Sequence, residues 1–130
     1  MQSTIREKRS VGKTVLLVDD NAPVRKMLVA AFLSDGFTKC EQAENAKEAI
    51  KLAKQIEPDL IILDLSMPVM NGLDAAVELR KLFPKVPLIL FTMYDSGTVA
   101  AAALKVGINV VLSKSVDLSM LTDEAHQLIA

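Results

Sequence analysis

Leu60-Ile61-Ile62-Leu63-Asp64, running on through Leu65-Ser66-Met67-Pro68-Val69-Met70 to Asn71-Gly72, is the stretch on which the reading of this chain turns. Four apolar residues in a row, without alternation, suit a strand buried on both faces, as in a parallel sheet covered by helices. The run stops at an acid, and Pro68 and Asn71-Gly72 then mark a loop before the next element. Three other runs follow the same plan. Val15-Leu16-Leu17-Val18 ends at Asp19, Leu88-Ile89-Leu90-Phe91 ends at Thr92, and Val110-Val111-Leu112 ends just before Lys114. Phe37 to Ala43 is a more polar candidate, expected at a sheet edge.

The segments between these runs have helical spacing. Residues 23–35 put Val24, Met27, Leu28 and Ala31 on one stripe, with Pro23 in the first turn and Gly36 at the stop. Asn45 with Glu48 makes a capping box ahead of Ala49, Ile50 and Ala53, and Pro58 ends that helix. A third helix is expected after Asn71-Gly72, with Leu73, Ala76 and Val77 inward. A fourth is expected over 96–106, closed by Gly107. The last starts near Leu118 and carries Leu118, Leu121, Ala125 and Leu128 on one face. Five alternating strand–helix units make a doubly wound α/β domain with a five-stranded parallel sheet.

A chain of 130 residues fits one such domain. Residues 1–12 are expected to form a flexible polar arm and residues 13–130 the domain. Fifteen Lys and Arg against sixteen Asp and Glu leave a net charge of −1, which argues against a protein built to coat nucleic acid or an anionic membrane. Cys40 stands alone, so no internal disulfide can form and a reducing, cytoplasmic setting is expected. One His and one Cys argue against a structural zinc site. The N-terminus lacks the apolar core of a secretory signal, and no apolar run is long enough to span a bilayer.

Asp19, Asp20, Asp64, Thr92 and Lys114 each lie at or just past the C-terminal end of an expected strand. In a parallel sheet those ends share one edge, and ligands bind in the crevice outside it. Taken singly, each has a plainer reading: a helix N-cap, a turn residue, a strand-end hydroxyl bonded to backbone, a surface charge. Taken together they form a phosphoryl-binding kit. Three converging carboxylates repel one another unless a cation is present, one Lys cannot neutralise them, and Mg²⁺ suits hard oxygen ligands. No Gly-rich Walker loop is present, and no His or Cys adjoins these positions. What remains is a carboxylate that itself accepts a phosphoryl group.

On these residues the chain resembles the receiver domain of two-component response regulators. The matching pieces are VLLVDDN (15–21), LIILDLSMPVMNG (60–72), LILFTMYD (88–95) and KVGINVVLSKS (105–115), within a likeness that covers about residues 13–130. The resemblance implies a (βα)5 flavodoxin-like fold with strand order 2-1-3-4-5. It implies that Asp64 is the phosphoacceptor for a sensor histidine kinase or phosphotransfer protein. Mg²⁺ would be held by Asp20, Asp64 and the backbone carbonyl of Ser66, with Asp19 acting through water. Thr92 and Lys114 would meet the phosphoryl oxygens. The output partner would dock on the face made by the fourth helix, fifth strand and fifth helix. Catalysis would extend only to the domain's own phosphorylation and dephosphorylation, with no direct nucleic-acid or membrane contact.

Several positions depart from the family's pattern. Ser115 stands where Pro is common after the Lys, and Val111 stands where a switch aromatic is common on the fifth strand. Met93 replaces a commonly small residue, and Ser66 and Tyr94 occupy two variable positions thought to tune hydrolysis. With Val111 unable to swing, movement of the Tyr94–Gly97 loop is expected in its place. The VAAAAL run of the fourth helix is either a low-relief docking surface or a tightly packed helix. The sequence is compatible with a stand-alone receiver or the regulatory half of a longer DNA-binding regulator. It is also compatible with a degenerate receiver that binds partners without phosphorylation.

Overall fold

The computed structural model of the chain describes residues 12–129. The expected arm at residues 1–12 therefore lies outside the described residues, apart from Gly12. The elements alternate in chain order: β1 (Thr14–Val18), α1 (Ala22–Ser34), β2 (Lys39–Ala43), α2 (Ala46–Ile56), β3 (Leu60–Leu63), α3 (Gly72–Leu82), β4 (Leu88–Thr92), α4 (Gly97–Lys105), β5 (Val110–Ser113) and α5 (Leu118–Leu128). The five strands form one parallel sheet in the order β2-β1-β3-β4-β5. This is the doubly wound arrangement expected from the apolar runs, with polar β2 at one edge.

The two faces of the sheet follow the alternation of side chains along each strand. Val15, Leu17, Leu60, Ile62, Ile89 and Phe91 pack against Leu28 and Phe32 of α1 and Leu121 and Ala125 of α5. Leu16, Val18, Ile61, Leu63, Leu88 and Leu90 face the other way. There they meet Ala49 and Ala53 of α2, Ala75, Ala76 and Leu79 of α3, and Ala103 of α4. Every residue of β3 and β4 is buried, which is why those runs show no alternation. β5 is the exception: all four of its residues are only partly buried, because it is the other edge strand.

One expected inward residue in each of two helices faces outward, while Val24, Leu28, Leu73 and Ala76 keep their expected places. Met27 is exposed, and Leu28 and Phe32 carry the buried face of α1. Phe32 is the larger group and meets Phe37 edge to face, with ring centroids 4.9 Å apart, so the helix rotates toward it. Val77 likewise points outward while Ala75, Ala76 and Leu79 lie against the sheet. Small side chains let α3 approach the strands closely.

Helix starts are set by side-chain caps. Asn21, Asn45, Asn71 and Ser96 each accept a backbone N–H three residues on, at 2.8 to 3.2 Å. Gly107, with φ +90°, closes the segment after α4 in a conformation that β-carbon-bearing residues avoid. At the far end of the sheet Arg80 acts as a clamp. Its guanidinium donates to the carbonyls of Phe83, Pro84, Val86 and Gly107, joining the end of α3 to the loops before β4 and β5. No helix among the described residues is long and apolar enough to cross a membrane.

Candidate functional site

The C-terminal ends of β1, β3, β4 and the loop after β5 meet at one edge of the sheet. The register explains why: Val18 pairs with Leu63, Leu63 with Leu90, and Thr92 with Ser113. The residues that follow these pairs are therefore neighbours. Because Asn21 caps α1, neither Asp19 nor Asp20 is used as the cap, and both carboxylates are left at the sheet edge.

Asp19 is buried and both of its oxygens are engaged. Oδ1 accepts the Asn21 N–H at 2.9 Å, and Oδ2 lies 2.7 Å from the Lys114 ammonium. Its backbone carbonyl accepts from Arg25 at 2.7 Å, which pins the turn between β1 and α1. Lys114 also reaches Asp64 Oδ1, at 3.4 Å. Asp20 is exposed and opens the cluster to solvent. One carboxylate oxygen from each of Asp19, Asp20 and Asp64 lies within 4.8 Å of the others.

These distances shift the ionisation of the site. Asp64 is held above the ordinary carboxylate range, first by burial and then by the charge of Asp19. Lys114 and the backbone N–H of Ser66 pull it back only in part. For Lys114, burial is the largest single influence and works against the charged form, but its hydrogen bonds and ion pairs with Asp19 and Asp64 together outweigh it and keep the ammonium protonated. Three carboxylates against one ammonium leave an excess of negative charge around the buried Asp19 and Asp64. An all-oxygen donor set of this kind suits a hard divalent cation, entering from the side of Asp20.

Thr92 is fully buried at the end of β4, and its hydroxyl accepts the N–H of Tyr94 at 3.1 Å. Its backbone carbonyl accepts the Lys114 N–H at 3.0 Å, so the two residues are joined through the main chain. Val111 lies opposite Leu90 and packs into the same face of the core. Met93 and Tyr94, on the loop after β4, are both exposed. Ser115, which replaces the family's common Pro, donates its N–H to Ser113 Oγ at 3.1 Å, and the two hydroxyls lie 2.7 Å apart. The peptide bonds here are all trans among the described residues.

Two contacts between elements were not apparent in the sequence, one at this edge of the sheet and one at the opposite end, where the C-termini of α1 and α5 lie. Gly72 opens α3 directly against the backbone of Asp64, where a Cβ would fall 2.3 Å from the Asp64 carbonyl oxygen. The signal was present in Asn71-Gly72 but read only as a turn. His126, fully buried on α5, lies 3.0 Å from Asp35 Oδ2 and stacks against Phe37, fastening α5 to the end of α1 on the face away from α2 to α4. No sequence pattern marks it.

Comparison with known proteins agrees with this fold. The family model for the response regulator receiver domain matches residues 15–126. The chemotaxis protein CheY of Thermotoga maritima is 35% identical over 97 residues, which cover 75% of this chain and 81% of CheY. The regulatory protein AtoC of Escherichia coli is 40% identical over 94 residues, covering 72% of this chain but 20% of AtoC. Several other relatives are also longer than the match, so that the chain spans about half of each. Among solved structures, chemotaxis protein CheY4 of Vibrio cholerae superposes with a TM-score of 0.84 at 26% identity, over 89% of this chain and 98% of that one. With its sheet order, its acidic edge and a family match over most of its length, the chain belongs to the response regulator receiver domains, the signalling modules of two-component systems.

Proposed function

We propose that the domain accepts a phosphoryl group on the Asp64 carboxylate from a phosphohistidine of a sensor kinase or phosphotransfer protein, and thereby switches partner binding. The observation that carries this reading is the cluster itself: three carboxylate oxygens within 4.8 Å, with the Lys114 ammonium 2.7 Å from Asp19 and 3.4 Å from Asp64. An Asp64 oxygen attacks phosphorus, the P–N bond breaks with its electron pair going to the imidazole, and an acyl phosphate forms. Attack by water on phosphorus later restores the carboxylate and releases phosphate.

Asp20, Asp64 and the backbone carbonyl of Ser66 would hold Mg²⁺, with Asp19 acting through water. When bound, the cation offsets charge on the phosphoryl oxygens. Asp19 holds Lys114 in place so that its ammonium can follow the charge from the Asp64 carboxylate to the phosphoryl group. Thr92 gives up the Tyr94 N–H and turns its own hydroxyl toward the new oxygens. The readout is a population shift on the face formed by α4, β5 and α5. Because Val111 has no ring to swing, the 94–97 loop carries the movement. Backbone NMR with a phosphoryl mimic tests that point: shifts centred on residues 93–98 support it, and shifts confined to β5 refute it.

Domain limits of 13–130 and a cytoplasmic location belong to the same reading, with the regulatory half of a longer DNA-binding response regulator as the alternative to a stand-alone receiver. The test of the chemistry is incubation with Mg²⁺ and a small acyl phosphate, read by intact mass. One added phosphoryl group on wild type and none on Asp64→Asn is the expected result. Adduct formation on Asp64→Asn at the wild-type rate places the chemistry elsewhere. No adduct from any donor or kinase supports the phosphorylation-independent module, which Val111 and Ser115 mildly favour. Steady release of phosphate from varied phosphoesters indicates a phosphatase.

A further inference from the structure

Val69 carries two costs at once. Its φ is +70°, in the left-handed region that β-branched residues avoid, and its side chain is fully exposed. Folding alone favours Gly or Asn there, and neither the acidic cluster nor the core uses this side chain. What Val69 does border is a groove between α2 and the loop from β3 to α3. A cavity of about 360 Å³ is lined by Ala46, Lys47, Ile50, Pro68, Val69 and Met70. A second, of about 300 Å³, shares Ile50 and Met70 and continues past Lys54 to Leu82, itself exposed. The floor is thus apolar and continuous from Val69 to Leu82.

The wall formed by α2 is basic. Lys47, Lys51 and Lys54 stand at i, i+4 and i+7, so they share a stripe with Ile50, and all three are exposed. None has an ion-pair partner among the described residues. On the α3 wall Glu78 is already paired with Lys81 at 3.2 Å. The N-terminal segment of this chain, with Arg6, Lys8 and Arg9 against Glu7, has the wrong charge to fill the groove. We propose that the α2–α3 groove is a docking surface for an acidic amphipathic helix of a partner protein. Its apolar residues would lie over Ile50, Met70 and Val69, and its carboxylates along the lysine stripe. The surface lies apart from the α4–β5–α5 face and does not depend on the phosphoacceptor chemistry.

The test uses two synthetic helical peptides with the same Leu spacing, one with Glu and one with Lys at the remaining positions, titrated into the labelled domain by NMR. The acidic peptide should shift amides of residues 46–54 and 68–72 and bind about tenfold tighter than the basic one, with an affinity that falls as salt rises. Reversing the stripe with Lys47→Glu, Lys51→Glu and Lys54→Glu should invert that preference. Val69→Asn should leave the domain at least as stable while weakening the acidic peptide several-fold, separating a docking role from a structural one. Equal affinity for both peptides, shifts centred elsewhere, or no shifts would overturn the proposal. So would concentration-dependent shifts at the same residues in the protein alone, which would assign the groove to a second copy of the chain.

Discussion

Replacing Gly72 with Ala sets two effects of opposite sign against each other. Gly72 is the first residue of α3, and its added Cβ would lie 2.3 Å from the Asp64 carbonyl oxygen and 3.0 Å from both the Asp64 carbonyl carbon and the Leu65 Cα. Carbon and carbonyl oxygen normally approach no closer than about 3.3 Å, so roughly 1 Å must be found. The obstructing atoms are backbone, anchored by the Asp64 N–H to the Val18 carbonyl at 2.9 Å and by the Gly72 N–H to the Leu65 carbonyl at 2.9 Å. They cannot rotate aside as a side chain would. Helix propensity favours Ala over Gly by about 1 kcal/mol at most. Overpacking against a fixed neighbour costs about 1–3 kcal/mol. The overlap places this case toward the upper end, so the net loss is about 1–2 kcal/mol and Tm falls by roughly 4–10 °C. A shift of about 1 Å at Asp64 also costs roughly a hundredfold in phosphorylation rate. Thermal unfolding and the rate of adduct formation by intact mass measure both. A Gly72→Ala protein as stable as wild type and phosphorylated as fast would refute the reasoning, because propensity would then outweigh the backbone contact. A less stable protein with an unchanged rate would show that strain relaxes into α3 and spares the acceptor.

Asp64→Asn should raise Tm at neutral pH in the absence of divalent cations. The folded Asp64 carboxyl is held above its ordinary range, so the stability it contributes is full below that range and is lost as pH rises through the folded value. A scan of Tm against pH should show the mutant's advantage growing from acid toward neutral, with added Mg²⁺ reducing it; an equal difference at every pH would contradict this. Lys114→Met should cost about 2–4 kcal/mol at neutral pH by leaving the carboxylates of Asp19 and Asp64 without a counter-charge. Denaturant unfolding should show the loss shrink once the carboxylates are protonated. Arg80→Ala orphans several loop carbonyls and should cost about 2–3 kcal/mol, with hydrogen exchange rising first around residues 83–87 and 107–109. Uniform exchange with unchanged stability would mean that water replaces the clamp.

Much of the fold is legible in the chain because burial on both faces removes alternation. The runs at 15–18, 60–63 and 88–91 could only be central strands, and polar Lys39–Ala43 only an edge. Once the strands are parallel, the residues just past their ends share one edge, so Asp19, Asp20, Asp64, Thr92 and Lys114 converge by topology alone. The cap of α2 at Asn45 and the stops at Gly36 and Gly107 were legible too, since Asn and Gly act within three or four residues of their own positions.

Which side of a helix faces inward was not settled locally. The 3.6-residue period allows neighbouring stripes of similar apolarity, and only contact with the sheet turned Met27 and Val77 outward in favour of Phe32 and the alanines of α3. The same limit hid the Arg80 clamp, the His126–Asp35 pair and the contact of Gly72 with Asp64, each of which joins residues from different elements. Period and composition report how one segment meets water or a generic apolar surface. Charge pairing, close backbone approach and the division of Lys114 between Asp19 and Asp64 depend on distances of 2 to 4 Å between segments far apart in the chain. Those distances exist only after the sheet has assembled, so the kind of chemistry was written in the sequence and its geometry was decided by the packing.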